Sequence, residues 1–223
     1  RGFRKEAFYP CYGLAEATLL VSGGTRGAGP LVQPFERSRL RSEPTASASG
    51  AASHLLVSCG VDRSGRQIRI VHPDSGIACA DGQEGEIWVG GPCVAQGYWQ
   101  REAESRETFQ ASLAGTGEGP FLRTGDLGFL KDGELFVTGR LKDLIIIRGR
   151  NHYPHDIERT VEECHPALRP GAGAAFAISE GDEEQLAVVQ EVEPRSQALD
   201  LQAVTTGIRQ TVAQSHEVSV FAV

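Results

Sequence analysis

The chain has 223 residues, with 22 Lys and Arg against 29 Asp and Glu, a formal charge of -7 at pH 7, and 40% hydrophobic residues. That balance excludes the clustered basic face of a nucleic-acid binder, and the apolar content suffices for one medium core or two small ones. No apolar run reaches the roughly 18 residues of a membrane helix, and the N-terminus lacks a signal-peptide apolar region. The five cysteines, Cys11, Cys59, Cys79, Cys93 and Cys164, never form a C-x-x-C pair, which excludes the usual zinc and redox motifs and points to reduced thiols in a cytoplasmic protein. Methionine is absent even at position 1, so the sequence reads as a piece of a longer protein.

In chain order, Gly13 to Thr18 is predicted to open a short helix that ends at the glycines of Ser22-Gly23-Gly24. Residues 42–53, SEPTASASGAAS, hold no large side chain and predict a mobile loop. Short apolar or alternating runs follow at Leu55 to Val57, Gln67 to Val71, Glu86 to Val89 and Leu135 to Thr138, with Asp132-Gly133 as a hairpin turn. Together they predict a mostly antiparallel β-subdomain, with one surface helix over Gln100 to Ala111.

Past Arg140 the pattern changes. A strand from Leu144 to Ile147 precedes a helix starting at Pro154, with Ile157, Val161 and Cys164 on one face. Strands from Ala174 to Ile178 and Leu186 to Val192 come next, then a helix striped by Leu201, Val204, Ile208 and Val212. This is a compact α+β unit, and a boundary is expected near Lys142.

Four segments carry the chemical argument. In Cys11-Tyr12-Gly13-Leu14-Ala15-Glu16-Ala17-Thr18, a tyrosine beside a glycine offers a ring on which a planar base can stack. Glu16 then supplies a hard oxygen for Mg2+, which favours one or two carboxylates plus phosphate oxygens. The same residues also read as a helix start with a core tyrosine and a solvated glutamate. In Arg123-Thr124-Gly125-Asp126-Leu127-Gly128, a carboxylate on a glycine-flanked turn can accept hydrogen bonds from two vicinal ribose hydroxyls; the plain alternative is a β-turn aspartate. The run from Gly139 through Arg140, Leu141, Lys142 and Asp143 to Pro154 puts charges just ahead of an apolar strand, suiting either an exposed connector or a solvated loop. Gly85 to Gly91 with Val94 to Trp99 reads as packing alone, with no chemistry.

The order and spacing of these segments resemble the adenylate-forming superfamily of acyl-CoA synthetases, luciferases and peptide-synthetase adenylation domains. YGLAEAT and RGRNHYPHDIE are most similar to its fatty-acyl-AMP ligase branch, and the resemblance runs through essentially the whole chain. It implies an α/β enzyme fold, α+β within this piece. Residues 1–141 would be the C-terminal part of the large AMP-binding domain, with an insertion at about 31–58. Residues 142–223 would be the small C-terminal domain, truncated.

By the same resemblance Tyr12 and Gly13 would hold the adenine, Glu16 would be the catalytic Mg2+ ligand, Asp126 would bind the ribose, and Arg140 would be a second ribose or phosphate contact. Lys142 would be the hinge of the small domain. Much of the superfamily has Thr where this chain has Ala15, whereas the ligase branch commonly has Ala. The Ser/Thr/Gly-rich phosphate loop is expected upstream of Arg1 and the acyl-adenylate lysine downstream of Val223, so this piece alone is expected to be inactive.

The implied activity is ATP-dependent activation of a fatty acid, then transfer to the phosphopantetheine thiol of an acyl carrier protein, or of a carrier domain on a polyketide or peptide synthetase. The alternatives are a fatty acyl-CoA synthetase and a non-catalytic lipid- or nucleotide-binding pseudo-enzyme. The branch's extra segment is thought to keep the small domain from the pose that accepts coenzyme A. A segment acting this way needs anchors, and Leu31, Val32, Phe35, Leu40, Leu55, Leu56 and Val57 are the candidates.

Overall fold

The computed structural model describes residues 2–36, 53–62, 65, 67–180, 183–193 and 199–223. The chain divides into two compact units, Arg1–Leu141 and Lys142–Val223.

The first unit is built on a four-stranded antiparallel sheet in the order β5 (Gln67–Val71), β6 (Gly85–Gly90), β7 (Leu122–Lys131) and β8 (Glu134–Arg140). Every residue of β6 is buried, because both sheet faces are covered. Ile87 and Val89 join Ile68, Ile70, Leu122 and Leu135 on one side, whereas Trp88 packs with Val71, Leu113 and Phe121. Asp132 and Gly133, with φ of 51° and 81°, form the tight β7–β8 turn that two consecutive positive-φ residues allow. Helix α1 (Glu102–Phe109) is shorter than expected and buries only Phe109.

Three expectations need correction. Gly13 to Thr18 is not a helix: β1 (Cys11–Leu14) and β2 (Leu19–Gly23) form an antiparallel hairpin, joined by a single 3-10 turn over Ala15–Ala17. Positive φ at Thr18 (57°) and Leu19 (67°) reverses the chain there, and Gly23 is a strand residue bridged to Val61 rather than a helix cap. Arg123 to Gly128 is strand, not turn. The third concerns a hairpin at Leu31 to Ser58.

That hairpin consists of β3 (Val32–Glu36) and β4 (Ser53–Val57). Phe35 meets Phe129 and Phe136 edge-on, with ring centroids 4.8 and 4.9 Å away, and Leu56 joins the same cluster. Leu31, Val32, Leu55 and Val57 are exposed, so Phe35 and Leu56 alone of the candidate anchors are seen to pack. Leu40 and the loop expected at 42–53 fall outside the described residues, except for the backbone of Ser53.

In the second unit, β9 (Ile145–Ile147) and β10 (Arg150–His152) make a short hairpin, the latter unforeseen. Strand β11 (Leu168–Glu180) pairs antiparallel with β12 (Glu183–Val192), which pairs parallel with β13 (Val220–Ala222). Helices α2 (Pro154–Cys164) and α3 (Leu201–His216) cover this sheet. Ile157 and Val161 share one core with Ile145, Leu186, Val188 and Ile208, and Cys164 packs against its margin. Pro154 starts α2, while Asp200 caps α3 by accepting from the Gln202 and Ala203 amides. Leu201 is exposed, so the α3 stripe begins at Val204.

Candidate nucleotide site

Asp126 lies where β7 departs from the regular ladder on both sides. Against β6, Arg123 pairs with Trp88 and Leu127 with Glu86, so Thr124, Gly125 and Asp126 together oppose Ile87 alone. Against β8, Leu127 pairs with Gly139 and Gly128 with Val137, leaving Thr138 as an extra residue. Such bulges bend a strand and re-aim its side chains. Gly125, at φ 73°, supplies the left-handed residue this one needs.

The bulge brings two distant segments to one carboxylate. Asp126 Oδ2 accepts the Tyr12 hydroxyl at 2.7 Å, and Oδ1 accepts Arg140 Nε at 3.0 Å. Asp126 and Arg140 are also direct cross-strand partners, which sets that ion pair by register. The Asp126 side chain is 13% exposed and that of Arg140 62%, so the pair opens toward solvent at the arginine.

Tyr12 is 9% exposed, packed with Val21, Ile68 and Leu135. Burial first, and the adjoining Asp126 carboxylate after it, push its phenol well above the ordinary value of 10, so it remains a hydrogen-bond donor. Little of its ring is left for stacking; its evident contact is the Asp126 carboxylate. Gly13 is accounted for locally: a Cβ there would lie 1.6 Å from the Leu19 carbonyl oxygen, so hairpin closure itself excludes a side chain.

Glu16 sits in the 3-10 turn between β1 and β2, and Glu16 Oε1 accepts the Tyr98 hydroxyl at 3.0 Å. The 93–98 loop clamps that turn, since the Ala95 amide donates to the Glu16 carbonyl at 2.8 Å and Thr18 Oγ1 donates to the Cys93 carbonyl at 2.7 Å. Burial and then Glu16 raise the Tyr98 phenol, keeping it protonated. No cluster of three His, Cys, Asp or Glu occurs among the described residues. A single half-buried carboxylate does not make a protein cage for a divalent ion. It does fit Mg2+ carried largely by phosphate oxygens, the usual mode for nucleotide enzymes.

Tyr98 and Glu86 lie in the two stretches whose sequence reads as packing alone. Tyr98 reaches Glu16, and Glu86 reaches the Asp126 bulge. Neither is marked by local spacing, because each acts on a residue tens of positions away. Lys142 lies in a 3-10 turn over Leu141–Asp143, and the division between the two units falls immediately before it.

Residues 1–99 match the AMP-binding enzyme family, and residues 142–223 match the AMP domain of the Disco-interacting protein 2-like family. Medium-chain-fatty-acid–acyl-carrier-protein ligase JamA of Moorena producens is 51% identical over 100% of this chain and 38% of its own length. The chain belongs to the adenylate-forming AMP-binding family, in its fatty-acyl-AMP ligase branch. FadD21 of Mycobacterium tuberculosis, which carries a provisional fatty-acid–CoA ligase name, is 40% identical over 98% of this chain and 38% of its own. A solved fatty acyl-adenylate ligase from L. pneumophila, in complex with acyl adenylate and pyrophosphate, is 43% identical with a TM-score of 0.58, over 98% of this chain and 38% of its own. The chain described here thus spans 38% of the length of these relatives.

Proposed function

We propose that this chain supplies the ribose and metal side of an active site that activates a fatty acid with ATP. In the first step a carboxylate oxygen attacks the α-phosphorus, the bond to the β-phosphate oxygen breaks, and pyrophosphate leaves with acyl-AMP remaining. In the second, the sulfur of a carrier protein's phosphopantetheine attacks the acyl carbon, the bond to the AMP oxygen breaks, and AMP leaves. The observation that carries the reading is the convergence of Tyr12 and Arg140 on Asp126, with Tyr12 on the hairpin whose turn carries Glu16.

Each residue has a physical part. Asp126 accepts the ribose hydroxyls on lone pairs left over from Tyr12 and Arg140, since a carboxylate offers about four acceptor positions. Tyr12 and Arg140 fix the carboxylate plane beforehand, so little ordering remains for binding. Arg140, on the solvent side, is the ribose or phosphate contact. Glu16 would offer a carboxylate oxygen to Mg2+, its Oε1 being held by the Tyr98 hydroxyl. When bound, the ion neutralises charge developing on the phosphate oxygens. Tyr12 serves the nucleotide through the Asp126 carboxylate it holds, Gly13 lets the β1–β2 hairpin close, and Lys142 is the pivot about which the second unit turns.

The acceptor is an acyl carrier protein or a synthetase carrier domain, supported by JamA at 51% identity and by the β3–β4 hairpin in the expected insertion. Free coenzyme A is the second reading, favoured by the name FadD21 carries. A pseudo-enzyme is disfavoured because Glu16 and Asp126 are both intact in the sequence. Free cysteines support a cytoplasmic setting, and no described helix is long and apolar enough to cross a membrane. Fatty-acid-dependent ATP–pyrophosphate exchange by the full-length protein, followed by mass spectrometry of products with carrier protein or coenzyme A, tests both steps. Absence of exchange with fatty acids of every length would overturn the reading.

A further inference from the structure

We propose that Glu86 is a positioning residue for nucleotide binding: it holds the Thr124-Gly125-Asp126 bulge in the one shape that aims the Asp126 carboxylate. The inference rests on Asp126 being the ribose acceptor. Glu86 is 1% exposed, an unusual place for a carboxylate unless its partners demand it. Its Oε2 accepts Arg123 Nε at 3.0 Å, Arg123 Nη2 at 2.9 Å and Trp88 Nε1 at 2.9 Å. Its Oε1 accepts the Gly125 amide at 3.1 Å.

These bonds replace ladder bonds that the bulge forfeits. Three residues of β7 face one of β6, so the amides of Thr124, Gly125 and Asp126 cannot all pair across the strands. Glu86 takes the Gly125 amide, and Thr124 Oγ1 takes the Asp126 amide at 3.1 Å while donating to the Ile87 carbonyl at 2.7 Å. The residue immediately before Asp126 is thereby tied to a buried anion, which is itself held by Arg123 lying 5.6 Å over the Trp88 ring. All four groups facing Glu86 are donors. A glutamine of the same shape would turn its NH2 against either the Gly125 amide or the Arg123 and Trp88 pair, so only a carboxylate satisfies both sides.

A merely structural Glu86 would affect folding and overall rate. A positioning Glu86 also affects how well the site distinguishes a ribose from a deoxyribose. The experiment measures kcat/KM for ATP relative to 2′-deoxy-ATP in pyrophosphate exchange by the full-length enzyme, for wild type, Asp126→Ala, Glu86→Gln and the double variant, with circular dichroism confirming folding. Asp126→Ala should bring the ratio close to unity. Glu86→Gln should lower it on the order of tenfold, about one charge-assisted hydrogen bond, and should lower it no further in the double variant.

If Asp126→Ala leaves the ratio at its wild-type value, the ribose reading of Asp126 fails and the Glu86 inference falls with it. If Asp126→Ala collapses the ratio but Glu86→Gln leaves it within twofold of wild type, the Glu86 inference alone is overturned. Should Glu86→Gln fail to fold, Arg123→Lys replaces it. That side chain is 31% exposed, and lysine keeps the charge but cannot present two parallel N–H groups. Its ratio should fall severalfold, and an unchanged ratio again overturns the proposal.

Discussion

Asp126 already accepts two hydrogen bonds from protein groups, and this decides how its loss should read out. Asp126→Ala removes a charge-assisted pair of contacts to the ribose and also leaves Tyr12 without its acceptor. The specificity constant for ATP is therefore expected to fall by at least about 2 kcal/mol. An unchanged constant would show that Asp126 serves the strand and not the nucleotide. Tyr12→Phe gives a separate test through pH. Because the folded phenol is held neutral far above its ordinary value of 10, the folded state keeps a proton that the unfolded chain gives up. The stabilisation is fully present below about pH 10 and declines as pH rises beyond it. Urea unfolding at neutral and strongly alkaline pH should show wild type losing more stability than Tyr12→Phe over that interval; equal losses would contradict the buried donor.

At the scale of the elements, two glycines separate steric from conformational need. Gly133 has φ 81° and open space where a Cβ would stand, so Gly133→Ala should cost only the left-handed strain, about 1–2 kcal/mol. At Gly13 a Cβ would strike the Leu19 carbonyl at 1.6 Å, so Gly13→Ala must displace the β1–β2 hairpin and should cost about 3 kcal/mol, with weaker ATP use besides. Denaturant unfolding measures both, and equal costs would show that the hairpin can relax. The strands at Gln67 to Val71 and Leu135 to Thr138, the Asp132-Gly133 turn and the stripe Val204, Ile208 and Val212 were legible because periodicity and turn chemistry are local signals. The β1–β2 hairpin was not, since Leu14-Ala15-Glu16-Ala17 has helical composition and the reversal depends on positive φ at Thr18 and Leu19. Asp126 was legible as a polar group flanked by glycines, but its strand and its partners depend on two bulges that exist only once β6 and β8 are paired. Glu86 left no local trace, because a buried glutamate in a strand looks like any alternating polar residue until Arg123 and Gly125 are brought to it.

For the whole molecule, the thiol acceptor is the sharpest open choice. Deleting residues 33–56 from the full-length enzyme is expected to admit coenzyme A, so acyl-CoA forms while acyl-AMP formation persists. The deletion also uncovers Phe129 and Phe136, which Phe35 and Leu56 shield, so some stability is lost with it. A folded deletion variant that makes acyl-AMP but no acyl-CoA would place thiol selectivity elsewhere. The central claim, that Asp126 and Glu16 serve the formation of a fatty acyl-adenylate, is tested most directly by ATP–pyrophosphate exchange in the full-length enzyme with and without fatty acid. The account predicts exchange that requires fatty acid and falls at least about 30-fold in Asp126→Ala, the equivalent of 2 kcal/mol. Exchange that never depends on fatty acid, or that Asp126→Ala leaves intact, would contradict it.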